Sequence, residues 1–168
     1  MLETWAKGYT QTELDAAQEK FGLVFPTDLI AFYLERRPVK GHDWRDDAAI
    51  RKMLAWPFEV LRFDIENNDL WWLEWGPKPF AAEGREQVLR QVLAQAPQLI
   101  PLYGHRFLPE TPAESGNPVF SVYGSDTIIY GANLEDYFQR EFASSSNEPS
   151  PEDVKHIPFW SDLVARNQ

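Results

Sequence analysis

The spacing of apolar residues changes along the chain, and this change constrains the fold more than any other sequence feature. Up to residue 57 the apolar side chains recur at helical intervals, whereas Leu61, Phe63 and Ile65 alternate with charged residues, as in a half-buried strand. Short β-prone runs follow between residues 99 and 130, and helical spacing returns after them. Strands clustered between groups of helices predict an α+β domain, with a mixed, largely antiparallel central sheet flanked by helices.

Capping residues, glycines and prolines predict where the helices begin and end. Thr10 to Glu13 has the spacing of a capping box, and Gly22 supplies a stop for the first helix. The third helix is expected to end at Pro57, since a proline inside a helix lacks the amide proton and clashes with the preceding turn. The expected helices cover residues 10–22, 26–37, 46–56, 85–96 and 133–142.

A β-hairpin is predicted over residues 61–75. Asn67-Asn68-Asp69 is a turn signal, and Leu70 to Trp75 then returns as a second strand. Adjacent tryptophans in a strand point to opposite faces, so both faces of the hairpin would carry indole rings. A loop with an even number of residues places Trp71 and Trp75 on the charged face, whereas an odd number places them in the core and leaves Trp72 outside.

In either register, part of the tryptophan surface must be shielded from solvent by another segment or by a partner. An intrachain helix or the Phe159-Trp160 segment could shield it, because large aromatic side chains are mostly core residues. The alternative is a partner protein, since exposed tryptophan beside acidic groups is typical of a binding hot spot. The candidate partner-binding residues are Asp64, Glu66, Trp71, Trp72 and Trp75.

The polar residues show no pattern typical of catalysis or metal binding. The three histidines are widely spaced, and no phosphate-binding loop or nucleophile elbow is present. We therefore expect a protein that is not an enzyme and has no cofactor. A candidate ligand pocket consists of His105, Arg106 and Asp126, and it would support a small-molecule binder or an unrecognised enzyme.

The charge of the chain argues against one class of partner and favours another. The sequence has 16 Lys and Arg residues against 26 Asp and Glu, a net charge of −10 at pH 7. A surface of that sign repels nucleic-acid phosphates, so direct nucleic-acid binding is not expected. It speeds the encounter with a basic protein, although a need for solubility explains the same composition.

Composition and segment properties also bear on location and domain organisation. The sequence contains no cysteine, which fits a reducing compartment, and it lacks both a signal peptide and an apolar run of roughly 18 residues. We therefore expect a cytoplasmic protein without membrane contact. The length favours a single domain over residues 1–142, followed by a flexible link over 143–151 and a C-terminal segment, 152–168, that docks on the same domain.

Several blocks of the sequence resemble bacterial members of the SUKH superfamily, which also contains the yeast cell-wall-synthesis regulators. The resemblance extends from about Leu14 to Phe142, and residues 157–163 are similar to the tail of a bacterial subgroup. The blocks that carry it are Asp64-Ile65-Glu66-Asn67-Asn68, Trp75-Gly76-Pro77-Lys78-Pro79, residues 101–109, Gly116-Asn117-Pro118-Val119-Phe120-Ser121-Val122 and Ile128-Ile129-Tyr130-Gly131.

This resemblance implies an α+β domain with a mixed central sheet and a role in protein binding. Many bacterial relatives are immunity proteins that neutralise cognate toxins, often nucleases, and the family offers no catalytic motif to transfer. The expected function is therefore non-enzymatic binding of a protein, as an immunity protein that neutralises a basic toxin. The alternatives are a regulatory or scaffold domain and, behind it, a small-molecule binder. Whether the chain is a monomer or a homodimer is open, because an uncovered tryptophan face could form a dimer contact.

Overall fold

The fold combines helices with two antiparallel sheets, in a computed structural model that describes residues 4–143 and 153–167. The predicted α+β class is confirmed. In chain order the described elements are β1 (Trp5–Lys7), α1 (Gln11–Phe21), α2 (Thr27–Glu35), β2 (Arg36–Pro38), α3 (Asp47–Asn67), a 3-10 turn (Leu73–Trp75), α4 (Ala82–Gln95), β3 (Leu99–Tyr103), β4 (Arg106–Pro109), β5 (Val119–Ser121), β6 (Ile128–Gly131), α5 (Leu134–Phe142) and α6 (Trp160–Arg166).

The central sheet has the strand order β3-β4-β5-β6, so each of its strands pairs with its neighbour in sequence. Every pairing between these strands is antiparallel, with Ile100 opposite Leu108 and Phe107 opposite Phe120. The largely antiparallel character of the predicted sheet is confirmed. A second, two-stranded antiparallel sheet joins β1 to β2 and places Trp5 opposite Pro38.

The central sheet is covered on both faces, because alternate residues of its strands enter different hydrophobic clusters. Ile100 and Leu108 pack with residues of α1, α2 and α5. Phe107 and Phe120 pack on the opposite face with residues of α3, α4 and α6. Two packed layers of helices therefore enclose the sheet.

Helix α3 overturns the prediction that residues 61–66 form a strand. The helix continues through Pro57 to Asn67, and its buried residues are Ile50, Pro57, Leu61, Asp64 and Ile65. Their intervals of seven, four, three and one residues form a helical stripe, whereas Phe63 is 59% exposed. Packing of this stripe outweighs the backbone hydrogen bond that Pro57 cannot donate.

The predicted second strand, residues 70–75, is also wrong, and the hairpin is absent. The chain leaves α3 at Asp69 with a left-handed φ of 58° and forms the 3-10 turn Leu73–Trp75. The indole nitrogen of Trp71 donates to the carbonyl oxygen of Gly76 at 2.8 Å. The tryptophans therefore fold onto their own loop instead of alternating across a sheet.

The C-terminal segment packs against the face of the sheet that α3 and α4 also cover. Ile157, Trp160 and Leu163 are buried there, and the indole nitrogen of Trp160 donates to the carbonyl oxygen of Pro97 at 2.9 Å. Apart from Ala143, the predicted link over residues 143–151 lies outside the described residues. No helix in the described part of the chain combines the length and apolarity needed to cross a bilayer.

Candidate functional site

A groove of about 540 Å³ runs along the second half of α3, within the range typical of ligand sites. We call it the α3 groove. Two of its aromatic side chains are unusually open to solvent, with Phe63 59% and Tyr123 49% exposed. The groove is lined by Trp56, Glu59, Val60, Arg62, Phe63, Asp64, Glu66, Asn67 and Tyr123.

Trp56 and Tyr123 form part of the α3 groove wall, and the His105 ring contacts both of them. The His105 ring lies 4.4 Å from Trp56 in a nearly parallel stack, and Tyr123 meets His105 edge-on at 4.5 Å. The indole nitrogen of Trp56 donates to the carbonyl oxygen of Val122 at 2.8 Å, which fixes the ring at the end of the sheet. Burial, aided by the charges of Arg106 and His42, lowers the pKa of His105, so its ring is neutral at pH 7.

Asp64 ties the turn that carries Tyr123 to helix α3. Its carboxylate accepts the backbone N–H of Ser125 at 2.6 Å, the Ser125 hydroxyl at 2.9 Å and the Asn68 amide at 2.6 Å. Gly124 has a left-handed φ of 66° and lies so close to Asp64 that a Cβ atom at this position would clash. Asp64 is therefore a structural carboxylate whose hydrogen bonds are made within the chain.

Glu66 lies at one end of the groove and is held by an arginine. Arg85 donates two hydrogen bonds of 2.7 Å to the Glu66 carboxylate, and these lower the pKa of Glu66. The same guanidinium donates to the carbonyl oxygens of Pro79 and Phe80, which anchors the loop before α4. Glu66 therefore stays ionised at neutral pH and contributes negative charge to the groove.

Asp64 and Glu66 line the α3 groove, whereas Trp72 and Trp75 line a separate groove, so the structure divides the predicted partner-binding group. Trp71, Trp72 and Trp75 are half-buried and contact one another with ring centroids 5.1 to 5.4 Å apart. Phe159 lies 5.1 Å from Trp72, and the Arg166 guanidinium lies 3.8 Å above the same ring. The Phe159 segment that the sequence offered as an intrachain cover therefore contacts Trp72.

The other predicted group, His105, Arg106 and Asp126, is also dispersed. None of the three lines the α3 groove, although the His105 ring stacks on Trp56, which does. Arg106 points to the opposite face, where its guanidinium donates to Glu141 at 3.2 Å and lies 3.8 Å above the Tyr130 ring. The exposed Asp126 accepts a 3.2 Å hydrogen bond from Asn167. These contacts do not join the three side chains in one pocket.

The sequence prediction misses Phe63 as a groove residue because a strand period over residues 61–66 places its side chain in the core, and it misses Trp56 and Tyr123 because they come from distant segments. A helical period through residues 61–66 would have placed Phe63 on the outer face and indicated the groove. Within residues 4–143 and 153–167, no group of three or more His, Asp or Glu side chains is arranged to hold a metal ion. The α3 groove combines exposed rings with carboxylates, a chemistry suited to binding.

Neither a protein-family model nor a curated protein nor a solved structure matches the chain. The resemblance to the SUKH superfamily therefore stays a prediction from sequence.

Proposed function

We propose that this protein binds another protein through the α3 groove and acts as an immunity protein that neutralises a basic toxin. The observation that carries the proposal is the exposure of Phe63 and Tyr123 in a groove bordered by the carboxylates of Glu59 and Glu66. Exposed rings in a concave patch with a charged rim are typical of binding hot spots.

Preorganisation of the groove supports this function. Phe63 projects from a 21-residue helix, and Tyr123 belongs to a turn that Asp64 ties to the same helix. A partner that buries these rings would lose little free energy in ordering them, because their backbone is already fixed.

The net charge of the chain supports a basic partner, and the pairing of the groove carboxylates supports a role without catalysis. A net charge of −10 speeds association with a positively charged protein. Asp64 accepts three hydrogen bonds from donors of its own chain, and Glu66 is bound by Arg85. Both carboxylates thus serve the geometry and charge of the groove instead of being free for general acid–base work.

Co-expression tests the proposal. Each gene beside the protein's own is expressed with and without it, and growth and complex formation are measured. We expect one neighbouring product to be toxic alone, to become harmless with the protein, and to copurify with it. Failure of every neighbouring product in both assays would contradict the role as an immunity protein.

A further inference from the structure

We infer that the α3 groove receives an arginine side chain of the partner, with its guanidinium against the Phe63 and Tyr123 rings. This inference rests on the proposed protein-binding function and names the chemical group that the groove recognises. It follows from the charge of the groove, from the open rings and from the weak pairing of the one guanidinium already there.

The groove carries net negative charge even though several of its groups are paired. Its lining contains three carboxylates, from Glu59, Asp64 and Glu66, and one guanidinium, from Arg62, which gives a formal charge of −2. Two ion-pair partners lie outside the lining, Glu86 beside Arg62 and Arg85 beside Glu66. They carry one charge of each sign, so including them leaves the sum at −2. A cationic side chain is thus the complementary occupant.

The aromatic side chains favour arginine over lysine. The flat, weakly hydrated guanidinium stacks on ring faces and offers five N–H donors, whereas the lysine ammonium is a compact, strongly hydrated charge. The chain already uses this contact on the neighbouring surface, where the Arg90 guanidinium lies 4.1 Å from the centre of the Phe58 ring. Phe63 and Tyr123 are the most exposed rings that line the groove, so they have surface for such a contact.

Arg62 occupies the rim of the groove and competes with an incoming cation. It donates to Glu59 at 2.7 Å and lies 3.7 Å from Glu86, but its side chain is 42% exposed. Exposed ion pairs of this kind contribute little stability, so they yield readily to a better-placed cation. Removing Arg62 should therefore strengthen binding of a guanidinium, whereas a purely structural groove would show no such gain.

The test uses N-acetyl-arginine amide and its neutral counterpart N-acetyl-citrulline amide, which differ in charge at nearly the same shape. Each is titrated into the full chain, and NMR chemical shifts are followed. We expect saturable shifts confined to residues of the α3 groove, with arginine binding at least about threefold tighter than citrulline. Equal affinity for the two probes, or shifts spread over the whole acidic surface, would overturn the inference.

Three variants locate the binding site and complete the test. Phe63→Ala should abolish saturation by arginine, whereas Leu34→Ala, which truncates a 43% exposed apolar residue on α2, should leave it unchanged. Arg62→Met should tighten binding by about twofold or more, because the local charge becomes more negative. Unchanged affinity in both groove variants would also overturn the inference. These results do not depend on finding a toxin, so they are separable from the co-expression test.

Discussion

At the scale of single residues, Asp64 connects the two sides of the groove. Its side chain projects from α3 and is 9% exposed, and the backbone and hydroxyl of Ser125 donate to it from the turn after β5. A buried carboxylate with several donors resists substitution, because removing it leaves those donors without a partner. The position of Tyr123, two residues before Ser125, depends on this tether.

Asp64→Ala is predicted to lower the free energy of unfolding by about 2–3 kcal/mol, because it removes three hydrogen bonds to a buried carboxylate. The matched control is Glu59→Ala, which removes an exposed carboxylate from the same helix and should change stability by no more than about 0.5 kcal/mol. Urea denaturation measures both variants. Equal stability of the two would show that the tether to Ser125 contributes nothing.

At the scale of secondary-structure elements, α3 decides where the groove lies. A strand over residues 61–66 would place Phe63 and Ile65 on one buried face. The helix separates them, because each residue of an α-helix turns by about 100° around the axis. Phe63 and Ile65, two residues apart, therefore lie on nearly opposite sides of α3. Ile65 is 3% exposed and enters the core with Leu61, whereas Phe63 opens onto the groove.

A pair of lysine substitutions tests this separation. Ile65→Lys should destabilise the protein by more than about 3 kcal/mol, because it buries an unpaired charge. Phe63→Lys should stay within about 1 kcal/mol of the parent protein, since its side chain already faces solvent. Thermal or urea unfolding gives both values, and similar losses for the two variants would favour the strand.

The elements that could be predicted from sequence are those with local signals. The capping box at Thr10 and the left-handed Gly22 mark the ends of α1, and both are present in the structure. The strands after residue 99 were predicted because glycine, proline and asparagine separate them. The sequence predicts an end of α3 at Pro57 because the cost of proline is local, whereas the packing of Leu61 and Ile65 that offsets it is tertiary.

The candidate site was harder to predict than the fold, because its parts come from distant segments. Glu66 and Asp64 were singled out from sequence and border the groove. Trp56 and Tyr123 are 67 residues apart in sequence, and only the docking of α3 against the end of β5 brings their rings within 5.5 Å. No local pattern carries that information, since it depends on which face of the sheet the helix covers.

At the scale of the whole molecule, helices cover both faces of the central sheet, and the α3 groove presents aromatic rings and carboxylates to solvent. Among the tryptophans that suggest a binding patch in the sequence, Trp72 packs against Phe159 and Arg166, and Trp75 contacts both Trp71 and Trp72. The overall charge of −10 would steer a basic partner from a distance, and the groove would hold it on contact. The central claim is therefore that partner binding depends on the groove.

The dissociation constant of the complex with the copurified partner tests that claim most directly. Calorimetry on the parent protein, Phe63→Ala and the control Leu34→Ala should show a loss of about 2 kcal/mol, roughly 30-fold in affinity, for Phe63→Ala alone. The control should bind within about twofold of the parent, because Leu34 lies on α2 outside the groove. A partner that binds Phe63→Ala as tightly as the parent protein would contradict the account.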